Sequence, residues 1–308
     1  MAVNCSKNMT GHLLCVVTAL VWGTTFISTK ILLRDFTPVE ILFIRFMIGY
    51  LALLAICPKR LDIREKKHEI TFALAGFCGV TLYFLFENIA LTYTMASNVS
   101  VIISAAPFFT ALFANWFLDG EKPRANFFIG FIFAIGGIGI ISFGGTKMHI
   151  SPIGDILAVL SAVVWAAYSI LTKKISSHGY NMIQATRHIF AYGLIFMVPV
   201  LFITGFKPEL SKILEPVNLF NIVYLGIGAS ALCFVTWNVA LRILGAVKTS
   251  VYIYAVPVIT IIISALILNE KITAYSAVGT ILTLAGLIIS EFKKGEKDVV
   301  LQKNLLNF

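Results

Sequence analysis

Charge is scarce in this 308-residue chain: 13% of its residues are Asp, Glu, Lys or Arg, against about 25% in an ordinary soluble domain. With 58% hydrophobic residues, the solvent for most of the chain is expected to be lipid, which leaves no room for a soluble domain of useful size. Cysteine is thin as well. Cys5, Cys15, Cys57, Cys78 and Cys233 fit neither a metal-ligand spacing nor a disulfide framework and read as small hydrophobes. Low-complexity segments are missing, because the nine prolines and 22 glycines are scattered through apolar runs. There is no phosphate-cradling loop with a lysine and no pair of histidines at metal spacing. ATP hydrolysis and metal chemistry are therefore not expected, and no cofactor is called for. The net charge of +9 comes from short basic clusters between apolar runs, without the basic face of a nucleic-acid binder.

What is present is a series of apolar segments. A hydrocarbon core of about 30 Å takes about 20 residues of helix, and such segments lie near 11–33, 38–57, 70–93, 96–118 and 126–145. After the polar turn Lys147-Met148-His149, a second set follows near 153–173, 182–204, 218–241, 246–268 and 274–292. The predicted fold is an all-α integral membrane protein of ten transmembrane helices. Met1–Thr10 is polar, and the apolar run after it is too long for a signal-peptide core, so it is expected to stay as the first helix. With a cytoplasmic N-terminus, sixteen of the 24 Lys and Arg residues fall in inside segments and five outside, with Lys30, Arg45 and Arg187 in helices or at their ends. That asymmetry predicts cytoplasmic N- and C-termini, and the short loops fit a prokaryotic inner cell membrane.

The two sets repeat. A shift of 143 places Gly11 on Gly154, Trp22 on Trp165 and Lys30 on Lys173. A shift of 150 places Asn88 on Asn238, Leu91 on Leu241, Ala96 on Ala246, Ser100 on Ser250 and Pro107 on Pro257, and a shift of 149 places Glu121-Lys122 on Glu270-Lys271. Residues 1–146 and 147–308 are thus predicted as two five-helix repeats, the second ending in a short cytoplasmic tail. An odd number of helices per repeat makes them inverted, the construction that lets one half rock against the other around a midplane site.

Several stretches carry a family resemblance. Ala19-Leu-Val-Trp22-Gly-Thr-Thr-Phe26, Arg45-Phe46, Ala90 through Asn98 to Pro107, and Ala240-Leu241 through Gly245-Ala246 to Pro257 and Asn269-Glu-Lys271 together resemble the EamA branch of the drug/metabolite transporter superfamily over nearly the whole chain. The resemblance implies a five-plus-five inverted fold, a central cavity and transport of metabolites, often export of amino acids or related compounds.

Ionisable groups in hydrocarbon cost several kcal/mol unless they face a cavity or a partner, which singles out Arg45 and Glu87. Their positions along helices two and three put them at similar depth, near Asn88 and Asn98. They form either a helix–helix clamp or a site in which Glu87 takes a substrate ammonium or a proton while Arg45 neutralises it or holds a carboxylate. Arg187 is the approximate counterpart of Arg45, Trp237 replaces Glu87 in the second half, and His188 reads as an isolated helix-end histidine. Trp22 and Trp165 fall mid-helix, away from the interfacial belts, whereas Trp116 suits a belt. The two central indoles either pack or wall a cavity with Tyr168, Trp237, Tyr252 and Tyr254. Asn238 joins Arg45, Glu87, Asn88 and Asn98 as one of the few polar partners available to a charged or zwitterionic solute. Pro107 and Pro257 remove backbone donors inside helices four and nine and favour kinks. Gly130, Gly136, Gly137 and Gly139, with Gly279 and Gly286, supply either close helix packing or a homodimer face. The leading expectation is a secondary transporter of small polar metabolites. The alternatives are a membrane-embedded scaffold and a lipid-modifying enzyme.

Overall fold

The computed structural model describes residues 2–118, 125–143, 151–268 and 274–291, and these are helical throughout apart from short connections. The long helices are α1 (Ala2–Leu32), α2 (Pro38–Ile56), α3 (Lys66–Tyr93), α4 (Ala96–Phe117), α5 (Ala125–Phe143), α6 (Pro152–Ser177), α7 (Met182–Thr204), α8 (Pro216–Leu244), α9 (Ala246–Ile267) and α10 (Ala274–Glu291). Eight of them, α1–α4 and α6–α9, are long and apolar enough to cross a membrane. The apolar parts of α5 and α10, Ala125–Gly137 and Ala277–Ser290, are shorter than that. The matching Glu121-Lys122 and Glu270-Lys271 pairs and the Lys147-Met148-His149 turn lie outside the described residues.

Local chemistry sets the helix ends. Thr37 and Glu40 form a capping box at the start of α2, in which the Thr37 hydroxyl accepts from Glu40 N at 3.3 Å and Thr37 N donates to the Glu40 carboxylate at 2.8 Å. Pro38 occupies the first turn, where its missing N–H costs nothing. Asn181 caps α7 through two backbone N–H groups. Gly205 ends it at φ 70°, a left-handed conformation that glycine adopts without strain.

Between helices in lipid there is no hydrophobic drive to associate, so close packing and interhelical hydrogen bonds carry the fold. The contacts recur at offsets close to those of the sequence. Helix α1 packs on α8 and α9, while α6 packs on α3 and α4; α2 packs on the middle of α8, and α7 on the middle of α3. Both middles are π-helical, at Phe77–Leu82 in α3 and Tyr224–Leu232 in α8. Glycine opens both crossings. A Cβ on Gly49 would lie 3.1 Å from Gly226 O, and one on Gly193 would lie 3.2 Å from Gly76 O.

The prolines act as the sequence predicts. Helix α4 breaks at Ser104–Ala105 just before Pro107, and α9 turns through a 3₁₀ segment at Tyr252–Tyr254 just before Pro257. Helices α5 and α10 lie against each other. Gly130 meets Gly286 O, Gly137 meets Gly279 O, and a Cβ on Gly286 would lie 2.5 Å from Gly130 O. Those four glycines are used for close packing within the chain, the first of the two readings above.

Candidate functional site

Where α1, α2, α3, α4, α6 and α9 converge there is a cavity walled by Trp22, Thr25, Phe26, Arg45, Tyr83, Phe84, Glu87, Ile103, Trp165, Ile253 and Val256. Arg45 lies two turns into α2 and Glu87 lies two turns before the end of α3, so the cavity sits toward the end of the bundle that carries the 33–37 connection. It is tight. About 30 Å³ is open to the centre of a water-sized sphere, room for about two waters and not for a solute.

Arg45 is 1% exposed. Its Nε donates to Ser230 Oγ at 3.0 Å, and its guanidinium carbon lies 4.3 Å from the centre of the Phe84 ring, close enough for a cation–π attraction. Its two terminal nitrogens have no hydrogen-bond partner. Glu87, also 1% exposed, leaves Oε1 without one, and Tyr83 stands one turn before it on the same face. The clamp, one of the two readings above, is not closed: no hydrogen bond joins Arg45 to Glu87, whose charges attract each other across the cavity while Tyr83 hydrogen-bonds the Glu87 carboxylate. Unpaired polar groups at such burial are costly, and a fold keeps them where a ligand or water satisfies them part of the time.

Aromatic rings form the floor. Trp22 and Trp165 meet edge to face at 5.1 Å, and Trp22 lies 4.9 Å from Trp237. Phe234 touches the rings of Trp22, Phe46, Phe84, Trp165, Tyr168 and Phe190 at 5.2–6.0 Å. Phe84 and Phe234 are themselves related by the shift of 150. Edge-to-face pairs of this kind add about 0.5–1.5 kcal/mol each beyond area burial, which makes the floor stiff and solid. Trp22 is held in place by a 3.0 Å bond from Nε1 to Ala229 O, on the π segment of α8. The same segment supplies Ser230 to Arg45, and Tyr224 bonds Thr24 and Val21 O on α1.

Of the sequence-predicted residues, Trp22, Arg45, Glu87 and Trp165 line the cavity. Trp237 backs it through Trp22, and Tyr168 abuts Trp165 at 5.0 Å. The others have different work. Asn88 donates to Pro38 O at 3.1 Å and Asn98 to Thr94 Oγ1 at 3.2 Å. Asn238 accepts from Tyr168 OH at 2.8 Å and donates to Thr186 at 2.9 Å, and Tyr252 bonds His12 at 2.6 Å. Tyr254 is fully buried outside the lining.

Two expectations at the opposite end are corrected. Arg187 donates to Cys57 O and Lys59 O, cross-linking α7 to the end of α2. The glycine crossings also align Arg45 O with Ile189 O, so Arg187 is not the counterpart of Arg45. His188 is not isolated either: it bonds Glu69 at 2.9 Å, and Tyr192 donates to the same carboxylate oxygen. Thr25, Phe26, Tyr83, Phe84 and Ser230 were not singled out from the sequence. Phe84 was within reach, since Phe84 and Phe234 obey the shift that matched Asn88 with Asn238.

Comparison with known proteins follows the same lines. The model of the EamA-like transporter family matches residues 9–143 and again residues 152–292. An uncharacterized transporter of Archaeoglobus fulgidus is 31% identical over 292 residues, covering 93% of this chain and 99% of its own. A probable terminal-alkyne amino-acid exporter of Streptantibioticus cattleyicolor is 27% identical, covering 89% of this chain and 91% of its own. A probable amino-acid metabolite efflux pump of Escherichia coli is 25% identical, covering 91% and 94%. One solved crystal structure superposes with a TM-score of 0.71 over 93% of this chain and 97% of that chain at 18% identity, a likeness of fold.

Proposed function

The chain belongs to the EamA-like transporter family, and on that premise we propose that it is a secondary transporter that exports amino acids or closely related zwitterions by alternating access. One observation carries the substrate class: two terminal guanidinium nitrogens of Arg45 and a carboxylate oxygen of Glu87 are buried and unpartnered beside one aromatic-walled cavity. A guanidinium fork suits a carboxylate, bidentately. A carboxylate suits an ammonium. A solute carrying both charges with no net charge satisfies the pair together, whereas a simple amine or acid leaves one of them unsatisfied. Trp22, Trp165, Phe26 and Phe84 offer faces for its side chain. The relatives named as amino-acid and amino-acid-metabolite exporters support the class and the direction.

The architecture that goes with this reading has all ten helices crossing the inner cell membrane as two inverted halves, with both termini cytoplasmic. The double match of the family model, the recurring glycine crossings and the paired π segments support the repeat. The basic clusters support the orientation. Glu87 binds the solute ammonium in its ionised form and takes a proton from bulk solution in its place when the solute leaves, so that solute and proton alternate on one carboxylate during the cycle.

Ligand binding should register in the indoles. In a Trp116→Phe background, which removes the one exposed tryptophan, saturable fluorescence changes are expected for amino acids. The matching amines and carboxylic acids should bind at least roughly tenfold more weakly, a difference of about 1.4 kcal/mol. Equal responses to the amine, the acid and the zwitterion would remove the paired-charge account of the substrate.

A further inference from the structure

The end of the bundle remote from the cavity carries a joint that the two halves build from different chemistry. The shift of 143 places Asp35 on His178, and the shift of 150 places His68 on Asn218. In each half the two residues meet. Asn218, in the first turn of α8, donates to the Asp35 carboxylate at 3.0 Å, which ties α8 to the connection after α1. His68, in the first turn of α3, lies face to face with His178 at the end of α6, the ring centres 3.8 Å apart and the planes 28° from parallel. The member on each helix start is buried, Asn218 at 2% exposure and His68 at 6%. The joint is thus an amide on a carboxylate at the cavity end and two imidazoles at the other. Imidazole is the side chain that ordinarily changes charge between about pH 5 and 8.

The imidazole joint is built for neutral rings. His68 Nδ1 lies 2.8 Å from the Tyr180 hydroxyl, which also accepts from Arg64 N at 3.3 Å, and Nε2 is buried with no hydrogen-bond partner. An imidazolium carries N–H on both nitrogens, so charging His68 in place strands a charged donor away from water. His178 is exposed, and solvent protons reach it. The water it loses at the joint, and then the charge of His68, hold its imidazolium below the ordinary histidine range; Lys67 and Arg64 act in the same direction and Glu65 against them. The Glu65 carboxylate is itself paired with Lys67 at 2.6 Å. The carbonyl end of α6 favours a cation at His178, whether or not the rings touch. The other titratable contact on this turn of α3 runs the opposite way. His188 lies 2.9 Å from Glu69, an ion pair once His188 is protonated, with Tyr192 on the same oxygen. Acid therefore keeps α3 on α7 while it parts α3 from the end of α6.

We propose that the His68–His178 stack is a proton-operated latch: neutral, it fastens the start of α3 to the turn between α6 and α7, and acid on that face releases it and speeds transport. The stacked state binds fewer protons than the parted one, so the latch is firm above the ordinary histidine pKa of about 6.5 and loosens as pH falls through it. Helix α3 carries Tyr83, Phe84 and Glu87 of the cavity wall, so a tie on its first turn bears on the site. The Asn218–Asp35 joint holds α8 without an imidazole. In the orientation proposed above the latch faces the cytoplasm, and export quickens when the cytoplasm acidifies. The effect on transport rests on the transporter reading; the latch itself does not.

Hydrogen exchange followed by mass spectrometry on the full chain in nanodiscs reads the latch. From about pH 7.5 to about pH 5.5, after correction for the intrinsic pH dependence of exchange, opening of segments 64–70 and 176–184 should rise by up to roughly tenfold, the most that one histidine of ordinary pKa supplies over that interval. His178→Phe keeps a ring against His68 and removes the exposed proton site, so the rise should shrink to under about twofold. His178→Ala should show the open level already at the higher pH. His188→Gln, outside the stack, should leave the rise in place. An unchanged wild-type profile, a rise that survives His178→Phe, or one that disappears in His188→Gln would overturn the latch. Counterflow of amino acids at equal pH on both sides, where coupling through Glu87 has no gradient to act on, should quicken with acid in the wild type and less in His178→Phe. Equal acceleration in both would overturn the control of transport. Absence of amino-acid flux in every sample would remove the transporter reading and leave a latch seen by exchange standing.

Discussion

Arg45→Met is expected to abolish saturable amino-acid transport, by at least roughly a hundredfold, while the melting temperature holds or rises. The two halves of that result come from one fact. Arg45 is fully buried yet uses only Nε, on Ser230, together with the face of Phe84. Its terminal nitrogens bond nothing in the protein. Replacing buried ion pairs by apolar side chains of similar volume is often neutral or stabilising, because the desolvation penalty vanishes with the charges; here the remaining partner, Glu87, sheds its charge by taking up a proton once Arg45 is gone. Losing one partner of a buried charge contact to a ligand commonly costs about 2–5 kcal/mol, a range that spans the factor of a hundred stated here, which is about 2.8 kcal/mol. A residue serving only to clamp α2 to α8 would behave in the opposite way, with lowered stability and flux reduced no further than the folded fraction. Arg45→Lys separates charge from shape: it keeps the cation and loses the planar fork, so it should retain stability and recover little of the flux. Thermal melting followed beside counterflow reads both quantities on one preparation.

Glu87→Gln is expected to remove the response of transport to a pH gradient and to lower flux by at least tenfold. The substitution keeps the size and hydrogen-bonding capacity of the side chain, so the wall with Tyr83 and Trp165 stays filled. What it removes is the negative charge that meets an ammonium and the group that takes a bulk proton in its place. With Gln in place, a zwitterion still meets Arg45 but brings an unbalanced ammonium into a dry site, at a cost that grows as water is excluded. Carboxylic acids lacking the amine should lose least from the change. Flux that stays gradient-dependent in the Gln variant would assign the coupling to another group and leave Glu87 as part of the wall.

The sequence carried the outline well and the site in part, for reasons that differ by residue. Hydrophobic length and Lys/Arg placement report directly on a bilayer, so eight of the spans were plain. The shift of 143 that relates Trp22 to Trp165 was legible because tryptophan is rare, and the structure brings both rings together at 5.1 Å. Arg45 and Glu87 stood out because ionisable groups in hydrocarbon need a reason. Depth along a helix was readable, but rotation about the helix axis was not. Asn88 follows Glu87 by one residue, which turns it by about 100°, away from the cavity and onto Pro38 O. Asn98 and Asn238 were assigned to the pathway from polarity alone, whereas buried amides also serve to join helices. The π segments left no trace in the pattern of apolar residues. They nonetheless determine where Ala229 O and Ser230 point, and thereby fix Trp22 and Arg45.

The central claim is that this protein moves a zwitterion through the cavity shared by Arg45 and Glu87. Counterflow of a labelled amino-acid panel into liposomes containing the purified wild-type protein, with and without a pH gradient, tests it most directly. Saturable uptake of at least one amino acid, competed by unlabelled zwitterions and not by the matching amines or acids, is the expected result. A folded, reconstituted protein that exchanges no amino acid, or that exchanges amines and acids as readily as zwitterions, would contradict it.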